Sequence, residues 1–164
     1  KLDGRLPPHR GKNNIFKVLR FLETLPESQE TDLKESLRTF VHQSNRRGVA
    51  IVLTDFYDEA GYQQAFNYLR YHKYEIYAIQ LVDEAELQTE LRGDIELIDH
   101  ETGEAMTTTL TPRLMQAYRD AFEQFCEDIE QFCLKSEITH FRAPIQIPFE
   151  DLILDIFRKR GFLS

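Results

Sequence analysis

Apolar positions along the chain follow two rhythms, a helical spacing and short unbroken runs, and their alternation outlines a fold. Ile15, Val18, Leu19 and Leu22 recur at helical spacing, and the pattern stops before Pro26. A second helical stripe, Leu33, Leu37, Phe40 and Val41, begins at Thr31 and ends before Gly48. Val49-Ala50-Ile51-Val52-Leu53 then forms an uninterrupted apolar run, the pattern of a buried parallel strand. Tyr62, Ala65, Phe66 and Leu69 predict a third helix, and Tyr74 to Val82 (YEIYAIQLV) a second, mostly apolar strand. Ile95 to Asp99 and Glu104 to Leu110 flank the turn residues HETG and predict a β-hairpin within residues 93–110. Leu114 to Cys133 carries the longest helical stripe, with Pro112 in its first turn. Ile138 to Ile145 predicts a third core strand, and Phe149, Leu152, Ile153, Ile156 and Phe157 a closing helix ended by Gly161. Residues 1–13, with Pro7-Pro8 and no periodicity, read as an extended connector.

Helix, helix, β, α, β, hairpin, α, β, α points to a Rossmann-like, doubly wound α/β sheet with right-handed crossovers. Three core strands are few for that design, and the strand at Val49 has no predecessor. We therefore expect one domain over residues 1–164 that is the later portion of a larger, incomplete sheet, or one whose free edge pairs with another chain.

Composition narrows the function classes. With 41% apolar and 29% charged residues, the chain can build one core. It shows neither a membrane-length apolar run nor a signal-type leader, so we expect a soluble, cytoplasmic segment, with a membrane anchor left open for a longer parent chain. The net charge of −8 is unevenly placed: residues 83–104 hold nine acids against Arg92, whereas residues 1–22 are basic. An acidic chain repels phosphate backbones, which argues against nucleic acid as the main partner. Cys126 and Cys133 lie two helical turns apart, roughly 10 Å of rise, too far for a disulfide, and read as reduced core thiols. The five histidines (9, 42, 72, 100 and 140) lack zinc spacing. Asp99-His100-Glu101 reads as a polar turn. Phosphate-binding glycine loops and serine-hydrolase elbows are missing. Tyr57, Tyr68 and Tyr71 are candidates for an exposed, sticky aromatic face.

The candidate chemistry sits at the exit of the first strand, where Thr54, Asp55 and Asp58 follow the apolar run. Open α/β sheets bind ligands outside the carboxyl ends of their strands. Asp55 there either faces a hard divalent cation, directly or through water, or, like Asp58, caps the following helix.

VAIVLTDF, preceded by PESQETDLKESLRTFVHQSNRRG, resembles the later half of a von Willebrand factor A-like domain. More closely it resembles the bacterial branch known as domain of unknown function number 58, associated with MoxR-type AAA+ ATPases. The LPPHRGKNNIFKVLRFLETL opening, the IDHETGEAMTT hairpin and YRDAFEQFCEDIEQFC followed by ITHFRAPIQIPFEDLILDIFRKRGFL share that likeness, which spans nearly the whole chain.

The resemblance implies a metal-ion-dependent adhesion site formed by an Asp-x-Ser-x-Ser loop, a threonine and an aspartate. Thr31 in QETDL matches the threonine and Asp55 in LTDF the aspartate. No Asp-x-Ser-x-Ser loop occurs here; Ser28, Ser36 and Ser44 lack its spacing. Phe56 stands where many such domains have glycine. The implied function is a non-enzymatic protein-interaction module that uses Mg²⁺ or another divalent cation in the complete domain and works with an AAA+ ATPase in assembly or maturation of other proteins. With two ligands, weak or absent metal binding is expected for this chain. The alternatives are a Mg²⁺-dependent phosphoryl-transfer or hydrolytic enzyme using Asp55, and a structural domain with a degenerate site.

Overall fold

A computed structural model describes residues 4, 6–7, 11, 14–25, 32–44, 47–58, 61–83, 93–98 and 105–148. Among them the order is α1 (Ile15–Glu23), α2 (Leu33–Gln43), β1 (Val49–Thr54), α3 (Tyr62–Tyr71), β2 (Glu75–Val82), β3 (Gly93–Ile98), β4 (Ala105–Leu110), α4 (Pro112–Lys135) and β5 (Thr139–Pro144). The expected α/β class is present: β1, β2 and β5 form a parallel sheet in that order, flanked by helices, and β3 and β4 form a separate antiparallel hairpin. The expected closing helix at residues 149–157, most of the 1–13 connector and the HETG turn lie outside the described residues.

Local chemistry sets the element ends. α2 starts at Leu33 rather than Thr31, because the Asp32 carboxylate caps it, its Oδ1 accepting from the Glu35 N–H at 2.7 Å. α4 opens on Thr111, whose Oγ1 accepts from the Leu114 N–H at 3.1 Å, with Pro112 in the first turn where no N–H is needed. α3 and α4 both end in a left-handed residue that carries a side chain, Lys73 (φ 63°) and Glu137 (φ 56°). In each case the next N–H reaches back into the last turn, Tyr74 to Leu69 O at 3.2 Å and Ile138 to Cys133 O at 2.9 Å. The chain thereby turns at once into β2 and β5.

Register puts Ala50 beside Ile76, Val52 beside Ala78 and His140, and Thr54 beside Gln80 and Arg142, all on one face of the sheet. Against that face pack Tyr62, Ala65, Phe66 and Leu69 of α3, and Cys126, Ile129 and Cys133 of α4, with Leu33 and Val41 of α2 joining the same core. Both crossovers step the same way, β1 to β2 to β5, and connections of one hand that step one way leave their helices on one face. The opposite face is open at β1, where Ile51 and Leu53 are each 62% exposed, and closes toward β5, where Ala143 is buried. α1 forms as the periodicity predicts, yet buries none of its residues. No described helix is long and apolar enough to cross a membrane.

Candidate functional site

The loop after β1 is fixed at four successive residues. Thr54 Oγ1 accepts from the Phe56 N–H at 3.0 Å, and Asp55 Oδ1 accepts from the Tyr57 N–H at 3.0 Å. These side-chain turns substitute for the hydrogen bonds the ending strand no longer supplies. Phe56 adopts φ 69°, a left-handed conformation that costs a residue with a Cβ about 1–2 kcal/mol. Its ring offsets that cost: it is 1% exposed, stacks on Phe66 at 5.4 Å and meets the rings of Tyr62 and His140 edge-on. A fully buried phenylalanine contributes about 1.5–3 kcal/mol. The position where the resemblance implies glycine is thus one whose backbone does favour glycine, held here by an aromatic plug.

Tyr57 then turns outward and lies parallel to Phe125 of α4 at 5.1 Å. Asp58 reaches back to α2, its Oδ2 accepting from the Leu33 N–H at 2.7 Å. The expectation that Asp55 or Asp58 caps the following helix is therefore corrected. α3 begins at Gly61 with no side-chain cap, and Asp58 instead satisfies an N-terminal amide of α2, 25 residues earlier in the chain. Asp55 uses one oxygen in its own loop, is exposed, and makes no hydrogen bond through Oδ2 among the described residues.

Beside this loop a cavity of about 540 Å³ opens at the carboxyl ends of β1 and β2. Thr54, Asp55, Gln80 and Asp83 supply its polar lining, and Leu53, Tyr57, Phe122 and Ile145 much of the rest. Gln80 is 1% exposed; its Nε2 donates to Cys126 Sγ at 3.3 Å, and its Oε1 is buried without a hydrogen-bond partner. An unpaired buried acceptor costs about 1–3 kcal/mol, so this amide is expensive to keep for packing alone. Asp83 follows β2 as Asp55 follows β1, and Gln146, just beyond β5, donates to it. Arg142, the register partner of Gln80, is held by Glu123 of α4 at 3.2 Å rather than lining the cavity.

Of the two expected metal ligands, Asp55 lies on this edge and Thr31 falls outside the described residues. Among the described residues no group of three His, Cys, Asp or Glu side chains comes together to hold an ion. One carboxylate with one oxygen already engaged does not make a divalent-cation shell. The thiols are core residues, as expected: burial pushes Cys133 up to about 12 and raises Cys126, which keeps both protonated and unreactive. Of the three tyrosines expected to be exposed, Tyr57 and Tyr71 are, whereas Tyr68 packs against the core.

The model of the family described as protein of unknown function DUF58 matches residues 1–130. This chain belongs to the DUF58 family. The DUF58 chain is also 25% identical over 120 residues to the uncharacterized protein MAV169 of Mycobacterium avium, a match covering 71% of this chain and 70% of that protein. It is 23% identical over 120 residues to the uncharacterized protein Rv1480 of Mycobacterium tuberculosis, covering 71% of this chain but 38% of the relative's length. Among solved structures it is similar to the conserved hypothetical protein BatB from Bacteroides thetaiotaomicron, with TM-score 0.46 and 14% identity over 90% of this chain and 70% of that one.

Two residues of this DUF58 site escape a motif search, and both leave a trace in the sequence. Gln80 is the amide inside the apolar run of β2, and Asp83 stands in the same place after β2 that Asp55 holds after β1.

Proposed function

We propose that this DUF58 chain is a non-enzymatic protein-interaction module that engages its partner at the carboxyl edge of the parallel sheet. The observation that carries this reading is the cavity beside the Thr54–Asp58 loop, whose lining joins the exposed Asp55 carboxylate, the Asp83 carboxylate and the Gln80 amide, with one buried oxygen unpaired, to apolar walls. Recognition sites have that composition: apolar surface with a few fixed polar groups. The resemblance to von Willebrand A-like domains supports the same edge. It also suggests that the chain is the later portion of such a domain, in which further strands pair with the edge of β1 that no described strand covers, and that the partner is a MoxR-type AAA+ ATPase. A divalent cation at Asp55 belongs to this reading with donors beyond the described residues, Thr31 among them.

Isothermal titration of a purified MoxR-type ATPase into the protein, in Mg²⁺ and in EDTA, tests the reading. Wild type should bind, and Asp55→Ala should bind at least about tenfold more weakly, the loss of one charge-assisted contact. Equal binding by both proteins would remove the carboxyl edge as the contact. Dependence on Mg²⁺ that disappears in Asp55→Ala would assign Asp55 to an ion.

A further inference from the structure

We infer that the cavity at the amino ends of β1 and β2 takes an acidic peptide segment, a run of aspartate or glutamate side chains on a protein partner, with Arg47 and Lys73 pairing its carboxylates. The site lies at the other end of the sheet from the Asp55 cavity and does not depend on it.

The cavity measures about 600 Å³ and opens where α2 and α3 end, beside the turns that lead into β1 and β2. Val41 and Tyr74 supply apolar surface, and His42, Arg47, His72 and Lys73 line it with donors. Its charge is written in the sequence. HQSNRRG (42–48) and RYHK (70–73) hold three arginines, one lysine and two histidines and no aspartate or glutamate, in a chain whose net charge is −8. Glu75, the first acid after RYHK, accepts from Tyr77 Oη at 2.9 Å, and Arg70 donates to Asn67 Oδ1 at 3.0 Å. Arg47 and Lys73 are the cations of the described lining, and both are exposed. A local excess of one sign steers groups of the opposite sign toward it.

The helix ends account for part of this charge. Cations near a helix C-terminus offset its dipole, which covers His42 and His72, but that effect fades beyond the last turn and Arg47 stands past the α2 cap, Ser44. Lys73 occupies a left-handed position (φ 63°) that glycine fills more easily, so what lysine adds there is its side chain. The two imidazoles are held in place by one ring: Tyr68 Oη lies 3.5 Å from His42 Nε2, and its ring centroid 4.6 Å from that of His72.

The same geometry favours carboxylates on a chain over a compact phosphate. Phosphate cradles use backbone N–H groups at helix N-termini or in glycine-rich turns. Here the helices present their carbonyl ends, and the N–H groups around the opening are spent on the turns. His72 donates to Tyr68 O, Lys73 to Arg70 O, Tyr74 to Leu69 O and Glu75 to Gly48 O, all between 2.9 and 3.2 Å. Recognition is left to long side chains, which reach separate carboxylates; the Arg47 guanidinium matches one of them with two parallel hydrogen bonds.

The test is an amide-resolved NMR titration of the full chain with three probes: capped hexaglutamate, capped hexaglutamine and inorganic phosphate. Hexaglutamate should produce saturable shifts at Ser44, Arg47, His72 and Lys73 that weaken as salt rises, and hexaglutamine none that saturate. Arg47→Gln should weaken the response about tenfold, whereas Lys17→Gln, on the exposed α1, should leave it unchanged. Lys73→Gly should also weaken it, with a thermal midpoint at or above that of wild type, because glycine adopts left-handed backbone without strain. Unchanged hexaglutamate binding in Arg47→Gln, or an equal loss in Lys17→Gln, would overturn the proposal by reducing it to diffuse charge attraction. Saturation of the same amides by phosphate with no hexaglutamate response would overturn the peptide ligand in favour of a phosphate. Failure of hexaglutamate while the ATPase still binds in an Asp55-dependent way would overturn this site and leave the carboxyl-edge contact standing.

Discussion

The two faces of β1 come from the same five apolar residues and meet opposite fates. Ala50 and Val52 point into a core of α3 and α4 side chains, while Val49, Ile51 and Leu53 point to solvent. Nothing in VAIVL separates them by hydrophobicity. Topology does: every described crossover steps in one direction, so the helices it carries accumulate on one side. α3 and α1 make the same point among helices. Both carry an amphipathic stripe, yet α3 buries Tyr62, Ala65, Phe66 and Leu69, and α1 buries nothing. A stripe announces that a helix needs a partner surface without supplying one.

The strongest way to break this contrast is to cut into the covered side. Phe66 is fully buried, stacked on Phe56 and edge-on to Phe132. Phe66→Ala should cost about 3–5 kcal/mol in chemical denaturation, because the cavity it leaves cannot collapse between two aromatic rings. It should also loosen the Asp55 loop, since the ring of Phe56 loses the partner that holds its left-handed backbone. A cost below about 1 kcal/mol would mean that the covered face is packed no better than the open one.

Asp58 offers a smaller cut on the same side. Its carboxylate ties the exit of β1 to the first turn of α2 through the Leu33 N–H. Asp58→Ala should cost about 1 kcal/mol, with hydrogen exchange accelerating first at the start of α2. Asp58→Asn, which keeps an acceptor, should recover part of it. If α2 protection is unchanged in Asp58→Ala, Asp32 alone is a sufficient cap.

His140 probes the covered face through pH. Burial lowers its pKa from the ordinary 6.5, with Glu130 opposing and Arg142 acting in the same direction as burial, and its Nε2 is buried without a hydrogen-bond partner among the described residues. The folded state therefore binds the proton less readily than the unfolded chain. Stability linked to this group is complete above pH 6.5 and is lost as pH falls through 6.5 toward the lower folded-state pKa. His140→Gln should flatten the decline in stability between about pH 7 and 5, measured against wild type so that carboxylate titration cancels. Parallel pH profiles would show that His140 is solvated.

Most of the element order was legible because it rests on local periodicity: the α2, β1, α3, β2 succession needs only the spacing of its apolar residues. The placement of Asp55 at the carboxyl edge followed from the general rule for open sheets. What remained hidden depends on distant parts of the chain. Asp58 caps a helix that precedes it by 25 residues, a pairing no local window contains. Phe56 occupies a backbone state that sequence rules assign to glycine, and only the ring cluster of Phe66, Tyr62 and His140 explains how. Gln80 was visible as a polar residue in an apolar strand, but its unpaired oxygen emerges only once Cys126 is found beneath it.

The smallest expected effect decides what the open face is. Leu53 stands at the cavity rim on the uncovered side of β1, 62% exposed, with Ile79 beside it in register. With so little area withdrawn from water, Leu53→Thr should change stability by no more than about 0.5 kcal/mol, the ordinary range for an exposed site, and threonine keeps the strand preference. A cost of 2 kcal/mol or more would mean that this face is covered in solution. The asymmetry between the two faces of β1 would then belong to the isolated chain, and the open side would be a buried surface of a larger assembly.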